Sequence, residues 1–192
     1  MKIGLFFGSF NPIHVGHLII ANHIAEFSDL EEVWFVVTPH NPFKKKKTLL
    51  EDNHRFQMVS IATDDYKKLK PSDIEFHLPQ PNYTIHTLTH LYEKHPEHEF
   101  SLIMGEDNLK SFHKWKNPDV ILQNHQIYVY PRVSQVKIES DFDQHKNVHF
   151  IDAPIVEISS TLIRKCIKQK NEYRPLLPYS VWQYIDEMNF YK

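Results

Sequence analysis

The run from Gly8 to His17, GSFNPIHVGH, constrains this 192-residue chain more than any other stretch. It follows Lys2 to Phe7 (KIGLFF), which has strand-like apolar composition. It leads into Val15 to Phe27, where Val15, Leu18, Ile19, Asn22 and Ala25 recur at helical spacing. A strand that enters a helix through so tight a turn gathers peptide N–H groups and the positive end of the helix dipole at one spot. Such a spot suits a phosphate. His14 and His17 stand three residues apart at the helix start, so both can face it. The chain has only 4 glycines, and Gly8 and Gly16 flank this turn. Glycine is used where backbone bends unusually or a ligand comes close. The pattern predicts a nucleotide-triphosphate site in which two imidazoles donate hydrogen bonds to phosphate oxygens.

Further strands and helices alternate along the chain. Glu32 to Thr38 reads as a buried strand, and Pro39 to Lys47 (PHNPFKKKK) as a loop whose lysines are either a solvated segment or a cover for a polyanion. Leu50 to Tyr66 is helical, Pro71 breaks the chain, and Asp73 to His77 (DIEFH) reads as a short strand. A helix starts at Thr84 with Ile85, Leu88 and Leu91 on one face, and Glu99 to Met104 is a strand running into Gly105, Glu106 and Asp107. Pro118 opens a short helix, Gln126 to Tyr130 and Val148 to Asp152 are strands, and Val133 to Asn147 is polar and irregular. Helices follow from Ile158 (ISSTLIR) and over Tyr179 to Met188. This alternation predicts one α/β domain over residues 1–192: a Rossmann-like, doubly wound, mostly parallel sheet with helices on both faces, and a C-terminal helical part from about 158 packed on it. Ligands of such sheets sit beyond the carboxyl ends of the strands. Gly8–His17, Pro39–Lys47 and Gly105–Asp107 all follow strands and so gather on that edge.

Composition narrows the class of partner. A formal charge of −2 gives no general pull toward nucleic acid or a membrane surface, and no apolar run approaches the roughly 20 residues of a membrane span. The single cysteine, Cys166, excludes an intramolecular disulfide and fits a reducing compartment. No signal peptide precedes the first strand, so the expected location is cytoplasmic.

Several features have a plainer reading beside the functional one. The chain has 14 histidines, so histidine alone means little. The pair at 14 and 17 lacks a cysteine or acid at metal-ligand spacing. On its own stretch, ISSTLIR is equally a capped helix with a solvent-facing Arg164 or a phosphate clamp. Asp107 caps a helix or meets a ligand, and Trp115 belongs to a core or forms a stacking platform. Cys166 has no base beside it and is not read as a nucleophile.

GSFNPIHVGH near one end and ISSTLIR near the other resemble the nucleotidyltransferase superfamily that carries an HxGH motif. TPHNPFK, PNYTIHTL and GEDNLKSFHKW are similar, in order, to the bacterial nicotinate-nucleotide adenylyltransferases. The resemblance implies transfer of AMP from ATP to nicotinate mononucleotide, giving nicotinate adenine dinucleotide and pyrophosphate, with Mg²⁺ held by the ATP phosphates. It implies catalytic roles for His14, His17 and Arg164. It assigns ATP contacts to Gly8, Ser9, Phe10, Gly16, Gly105, Asp107, Ser159, Ser160 and Thr161. Contacts to the pyridine nucleotide fall to Tyr83, Thr84, Trp115, Asn41, Lys44 and Arg132. Phe7, Asn11, Asn41, His86 and Glu106 depart from the family pattern. Pantetheine-phosphate adenylyltransferase and glycerol-phosphate cytidylyltransferase share the first motif, and a nicotinamide-mononucleotide adenylyltransferase is a further alternative within the superfamily. A non-catalytic nucleotide sensor and a nucleic-acid binder working through Lys44–Lys47 are the readings from other classes. Homo-oligomerisation is left open.

Overall fold

β1 (Lys2–Gly8) decides the layering of the molecule, because its side chains alternate between two buried clusters. Ile3 and Leu5 enter one cluster and Phe6 the other, as the two-residue repeat of a strand requires. The structure is a computed structural model, described here over residues 1–40, 49–132 and 142–192. β2 (Glu32–Val37), β3 (Leu69–Ser72), β4 (Glu99–Gly105), β5 (Ile127–Tyr130) and β6 (Val148–Phe150) complete a six-stranded sheet in the order β3-β2-β1-β4-β5-β6. Every neighbouring pair is parallel. The chain winds outward from β1 one way and then returns to pair β4 on β1's other side, so the switch point lies between β1 and β4. The expected doubly wound, Rossmann-like sheet is the one observed.

Helices α1 (Val15–Phe27), α2 (Asp52–Thr63), α6 (Ser160–Lys168) and α7 (Tyr179–Glu187) cover the face that carries Phe6, Phe35, Ile103 and Tyr128. α3 (Thr84–Lys94), α4 (Glu106–Lys110) and α5 (Pro118–Asn124) cover the face of Leu5, Val36, Leu102 and Val129. Sheets covered on both sides need strands that are apolar throughout, and IYVY in β5 is buried at all four positions. From the C-terminal part, Ile163, Ile167, Leu177, Val181 and Ile185 join the first cluster. Among the described residues, no helix is long and apolar enough to cross a membrane.

Three sequence expectations need correction. Asp73 to His77 is no strand: Ile74–His77 forms a 3₁₀ turn, closed by Phe76 N–H to Asp73 O at 2.8 Å. The strand lies just before it and contains Pro71. Proline is tolerated there because β3 is an edge strand, paired only with β2, so the missing N–H costs no ladder bond on its outer side. The buried stripe of α1 is also rotated from the expected one. Ile19 and Asn22 are exposed, whereas Ile20, Ala21 and Ile24 join the buried cluster against the sheet. Gly16 packs instead against Val156, where a Cβ would stand 2.9 Å from Val156 Cγ1. Finally, α2 is shorter than Leu50 to Tyr66 and buries Arg55 completely.

Candidate active site

Two cavities open beyond the carboxyl ends of the central strands, with the end of β1 between them: Ser9 lines one and Phe7 the other. The first is the roomier, with about 310 Å³ of fillable space against about 90 Å³ in the second.

The larger is a polar cleft on the α1 side. His14 caps α1, and its ring stacks on that of His17 with centroids 3.6 Å apart and planes 18° from parallel. The His14 backbone N–H donates to His17 Nδ1 at 3.3 Å. That bond needs an acceptor at Nδ1, which leaves the proton of a neutral His17 on Nε2. Phe6 and Phe10 meet the His17 ring edge-on from below, at centroid distances of 6.0 and 5.1 Å. Phe10 adopts φ 43°, a left-handed conformation rare for a bulky residue. Gly8 makes room for it, because a Cβ there would stand 2.7 Å from Phe10 Cζ. The turn is therefore bent so that an aromatic floor supports the imidazoles. Burial, and then the charge of Arg132, push the His14 pKa down to about 4, so this ring is neutral at pH 7.

The far end of the chain closes the cleft. Ser159 caps α6, its Oγ accepting from Leu162 N–H at 3.2 Å. Ser160 Oγ donates to Pro12 O at 2.8 Å. Arg164 donates from Nη1 to Asn11 O at 2.7 Å and from Nη2 to Thr161 Oγ1 at 3.2 Å. Asn11 is a hub: its Oδ1 accepts from Tyr191 Oη at 2.7 Å and from Leu50 N–H at 3.3 Å. Beneath it the buried Arg55 donates to Ser9 O at 2.6 Å, Thr38 O at 3.0 Å and Leu50 O at 2.9 Å, and pairs with Asp52. One guanidinium thus fixes the ends of β1 and β2 and the start of α2.

The smaller cavity lies on the α3 side. Tyr83 and Thr84 from the start of α3, Trp115, Phe7, Leu102 and Met104 line it, with Glu75 and Asn82 at its base. Lys116 Nζ sits 4.7 Å from the centre of the Tyr83 ring. Asn82 Nδ2 donates to Glu75 O at 3.0 Å, and His40 N–H donates to Asn82 Oδ1 at 3.3 Å.

Nine of the residues singled out by sequence line the cleft: Ser9, His14, Gly16, His17, Arg132, Ser159, Ser160, Thr161 and Arg164. Gly8 and Phe10 lie beneath the histidines and shape the turn. Asp107 borders the cleft, 3.7 Å from Arg132 Nε, and crosses over Gly105, where a Cβ would meet Asp107 Oδ1 at 2.5 Å. Tyr83, Thr84 and Trp115 share the second cavity. Arg132, grouped by sequence with those three, instead faces His14. Asn41 and Lys44 lie outside the described residues. Sequence reasoning missed Arg55, Glu75, Asn82, Lys116 and Tyr191. Only Asp52 three residues before Arg55, and Glu75 between apolar neighbours, carried any local signal.

Comparison with known proteins agrees with this geometry. Residues 5–166 match the family model described as cytidylyltransferase-like. The chain is 68% identical over its full length, and that of the relative, to a Flavobacterium psychrophilum protein named "Probable nicotinate-nucleotide adenylyltransferase". It is 67% identical, also over both full lengths, to the Flavobacterium johnsoniae protein of the same name. Its fold superposes with a TM-score of 0.83 on the Plasmodium falciparum nicotinic acid mononucleotide adenylyltransferase complexed with NaAD, at 23% identity and covering 99% of this chain and 97% of that one.

Proposed function

The chain belongs to the nicotinate-nucleotide adenylyltransferases of the cytidylyltransferase-like family, and from that premise we propose how its two cavities divide the reaction. It is a nucleotidyltransferase that joins AMP from ATP to nicotinate mononucleotide, a step of NAD biosynthesis. An oxygen of the mononucleotide phosphate attacks the α-phosphorus of ATP. The new O–P bond forms as the bridging bond to the β-phosphate breaks, and pyrophosphate leaves with the electron pair. The nucleophile is already an anion, so no strong base is required. The barrier lies in charge repulsion and in-line alignment, which positioning and neutralisation lower.

ATP is assigned to the polar cleft. The observation that carries this is the convergence of two stacked imidazoles, the first turn of α1 and Arg164 from the far end of the chain. His17 donates from Nε2 to the α-phosphate, where charge builds in the transition state. Arg164, Ser159, Ser160 and Thr161 hold the outer phosphates, and Asp107 meets ribose hydroxyls. Among the described residues lining the cleft there is no carboxylate. Imidazole, guanidinium and hydroxyl groups suit an anion, whereas a hard divalent cation seeks oxygen ligands. The divalent metal such transferases use is therefore Mg²⁺ carried in on the triphosphate as part of the substrate.

The smaller cavity takes the pyridine, stacked on Trp115, with its carboxylate toward the N–H groups that open α3 at Thr84. A reaction on ATP and a pyridine mononucleotide supports a cytoplasmic location. A pyrophosphate-release assay with ATP and each mononucleotide tests the assignment. Release with nicotinate mononucleotide, at higher kcat/KM than with the nicotinamide form, is the expected result. No release with either removes it.

A further inference from the structure

The edge of the sheet opposite the two cavities carries a group of ligand-type side chains that adenylyl transfer does not use. α3 ends at Lys94 and β4 starts at Glu99, and the link between them is His95, Pro96, Glu97 and His98. These four residues form a tight turn, closed by His98 N–H donating to His95 O at 3.1 Å. Proline suits the second position of such a turn because its ring fixes φ. The turn sets its first and last side chains alongside one another: the His95 and His98 rings lie 5° from parallel with centroids 5.5 Å apart. Glu97 Oε1 stands 3.4 Å from His98 Nε2 and 3.9 Å from His95 Nδ1. One ligand atom from each of the three residues lies within 4.8 Å of the other two. Both rings are braced from the sheet. Trp34 meets His95 and Phe100 meets His98, each edge-on, at centroid distances of 6.0 and 6.1 Å. His98 Nδ1 is buried, which leaves Nε2 as the nitrogen this ring turns toward Glu97. The turn also follows the last carbonyls of α3, whose partial negative charge favours a cation.

We propose that His95, Glu97 and His98 bind one divalent transition-metal ion, with Zn²⁺ the best fit. Two imidazole nitrogens and one carboxylate oxygen are a borderline donor set, whereas hard Mg²⁺ and Ca²⁺ take oxygen ligands. The ligands of tetrahedral Zn²⁺, roughly 2.0–2.2 Å from the ion, stand about 3.4 Å from one another. Glu97 and His98 already have that spacing. The Glu97 side chain is 62% exposed and the His95 ring partly so, and both can close the wider gaps. Three protein ligands leave a fourth position to water. The ion pins the end of α3 to the start of β4, away from the phosphates, so the proposal stands apart from the functional reading above. The plainer alternative is a carboxylate that pairs with whichever imidazole is protonated and has no affinity for metal.

A Zn²⁺ titration of the full chain, without ATP or Mg²⁺, separates the two, with the histidine ring nitrogens followed by ¹⁵N NMR. One equivalent of Zn²⁺ should shift His95 and His98 ahead of every other histidine, and Mg²⁺ at the same concentration should shift neither. Glu97→Gln should weaken binding at least about 10-fold, and His95→Gln combined with Glu97→Gln should abolish it. Saturating Zn²⁺ should raise the Tm of the wild type by about 2–5 °C and leave that of the double variant unmoved. The rise is modest because three ligands within four residues give the unfolded chain some affinity as well. Both variants should keep the wild-type kcat for adenylyl transfer. A first response at His14, His17 or any other histidine overturns the proposal. So does an equal response to Mg²⁺, or a double variant that binds Zn²⁺ as the wild type does. The wild-type spectrum decides even if a variant fails to fold.

Discussion

The two cavities share a sheet edge and solve opposite electrostatic problems. On the proposed division the cleft receives polyanion, with donors: imidazoles, the guanidinium of Arg164, hydroxyls and the first turn of α1. On the same division the smaller cavity receives a flat ring, with Trp115, Tyr83 and Phe7 around a buried acid. Acid acts on the two in opposite directions. Protonation is resisted at His14, which burial and Arg132 hold neutral, and favoured at Glu75, which burial drives toward the neutral acid. One is lined by imidazoles, guanidinium groups and hydroxyls; the other sets aromatic rings over a buried carboxyl.

The largest expected effects test that division of labour. His17→Ala should cut kcat about 10²- to 10³-fold, the loss seen when one transition-state donor is removed, and by the same factor with either mononucleotide, since the lost donor faces ATP. Circular dichroism and thermal melting should show the fold intact, because His17 is only half-buried. Near-normal turnover would end its assignment. Trp115→Ala should do the reverse. It should raise the KM of the mononucleotide about 10- to 100-fold, the worth of one base–aromatic stack, while KM for ATP barely moves. If Trp115→Ala weakened ATP instead, the ligands would have been assigned to the wrong cavities.

How much of each region could be read from the chain follows from the same contrast. The cleft is built from two compact runs, GSFNPIHVGH and ISSTLIR, whose residue types carry their chemistry openly. What sequence did not carry was what ties the runs together. Arg55 looks like an ordinary exposed helix cation until the ends of β1 and β2 place two carbonyl groups beside it and Leu50, ahead of α2, adds a third. Asn11 is another such tie, its neutral carboxamide offering Oδ1 to both Tyr191 and Leu50. The smaller cavity was less legible because it is assembled from Phe7, Glu75, Tyr83 and Trp115, on four separate elements. Glu75 sat inside a stretch read as a strand. A strand would have alternated its side chains; the 3₁₀ turn and the edge position of β3 turned this one inward.

The pH contrast gives the next prediction. The His14 pKa falls from its ordinary 6.5 to about 4 in the fold. Below about 6.5 the unfolded chain gains a proton that the folded chain refuses, so stability drops as pH falls from about 6.5 toward about 4 and then levels off. The shift corresponds to about 3 kcal/mol at most from this group. Glu75 contributes the opposite sign, because its raised folded pKa makes a contribution that is lost as pH rises through it. Urea denaturation of the wild type and His14→Gln at pH 7.5 and pH 5 should therefore converge in acid: the wild type loses more. Equal losses would mean that His14 is protonated in the fold and the cleft is not as described.

The smallest effect tests whether the cleft's far wall is held from behind. Tyr191, one residue from the C-terminus, donates its hydroxyl to Asn11 Oδ1, and the Asn11 carbonyl in turn receives Arg164. Burial pushes the Tyr191 pKa up, against the nearby Arg164 and Arg55 charges, so the group is a donor at every ordinary pH. Tyr191→Phe removes that donor and keeps the ring. Asn11 Oδ1 retains the Leu50 N–H, so no buried acceptor is stranded and the cost should be that of one neutral hydrogen bond, about 1 kcal/mol. For a chain of this length that is roughly 2–4 °C in Tm. A merely structural bond would stop there. If it also aims Arg164, KM for ATP should rise about twofold while the KM of the mononucleotide stays fixed, because Arg164 belongs to the cleft alone. A rise in both would show that the end of β1, rather than separating the two cavities, couples them.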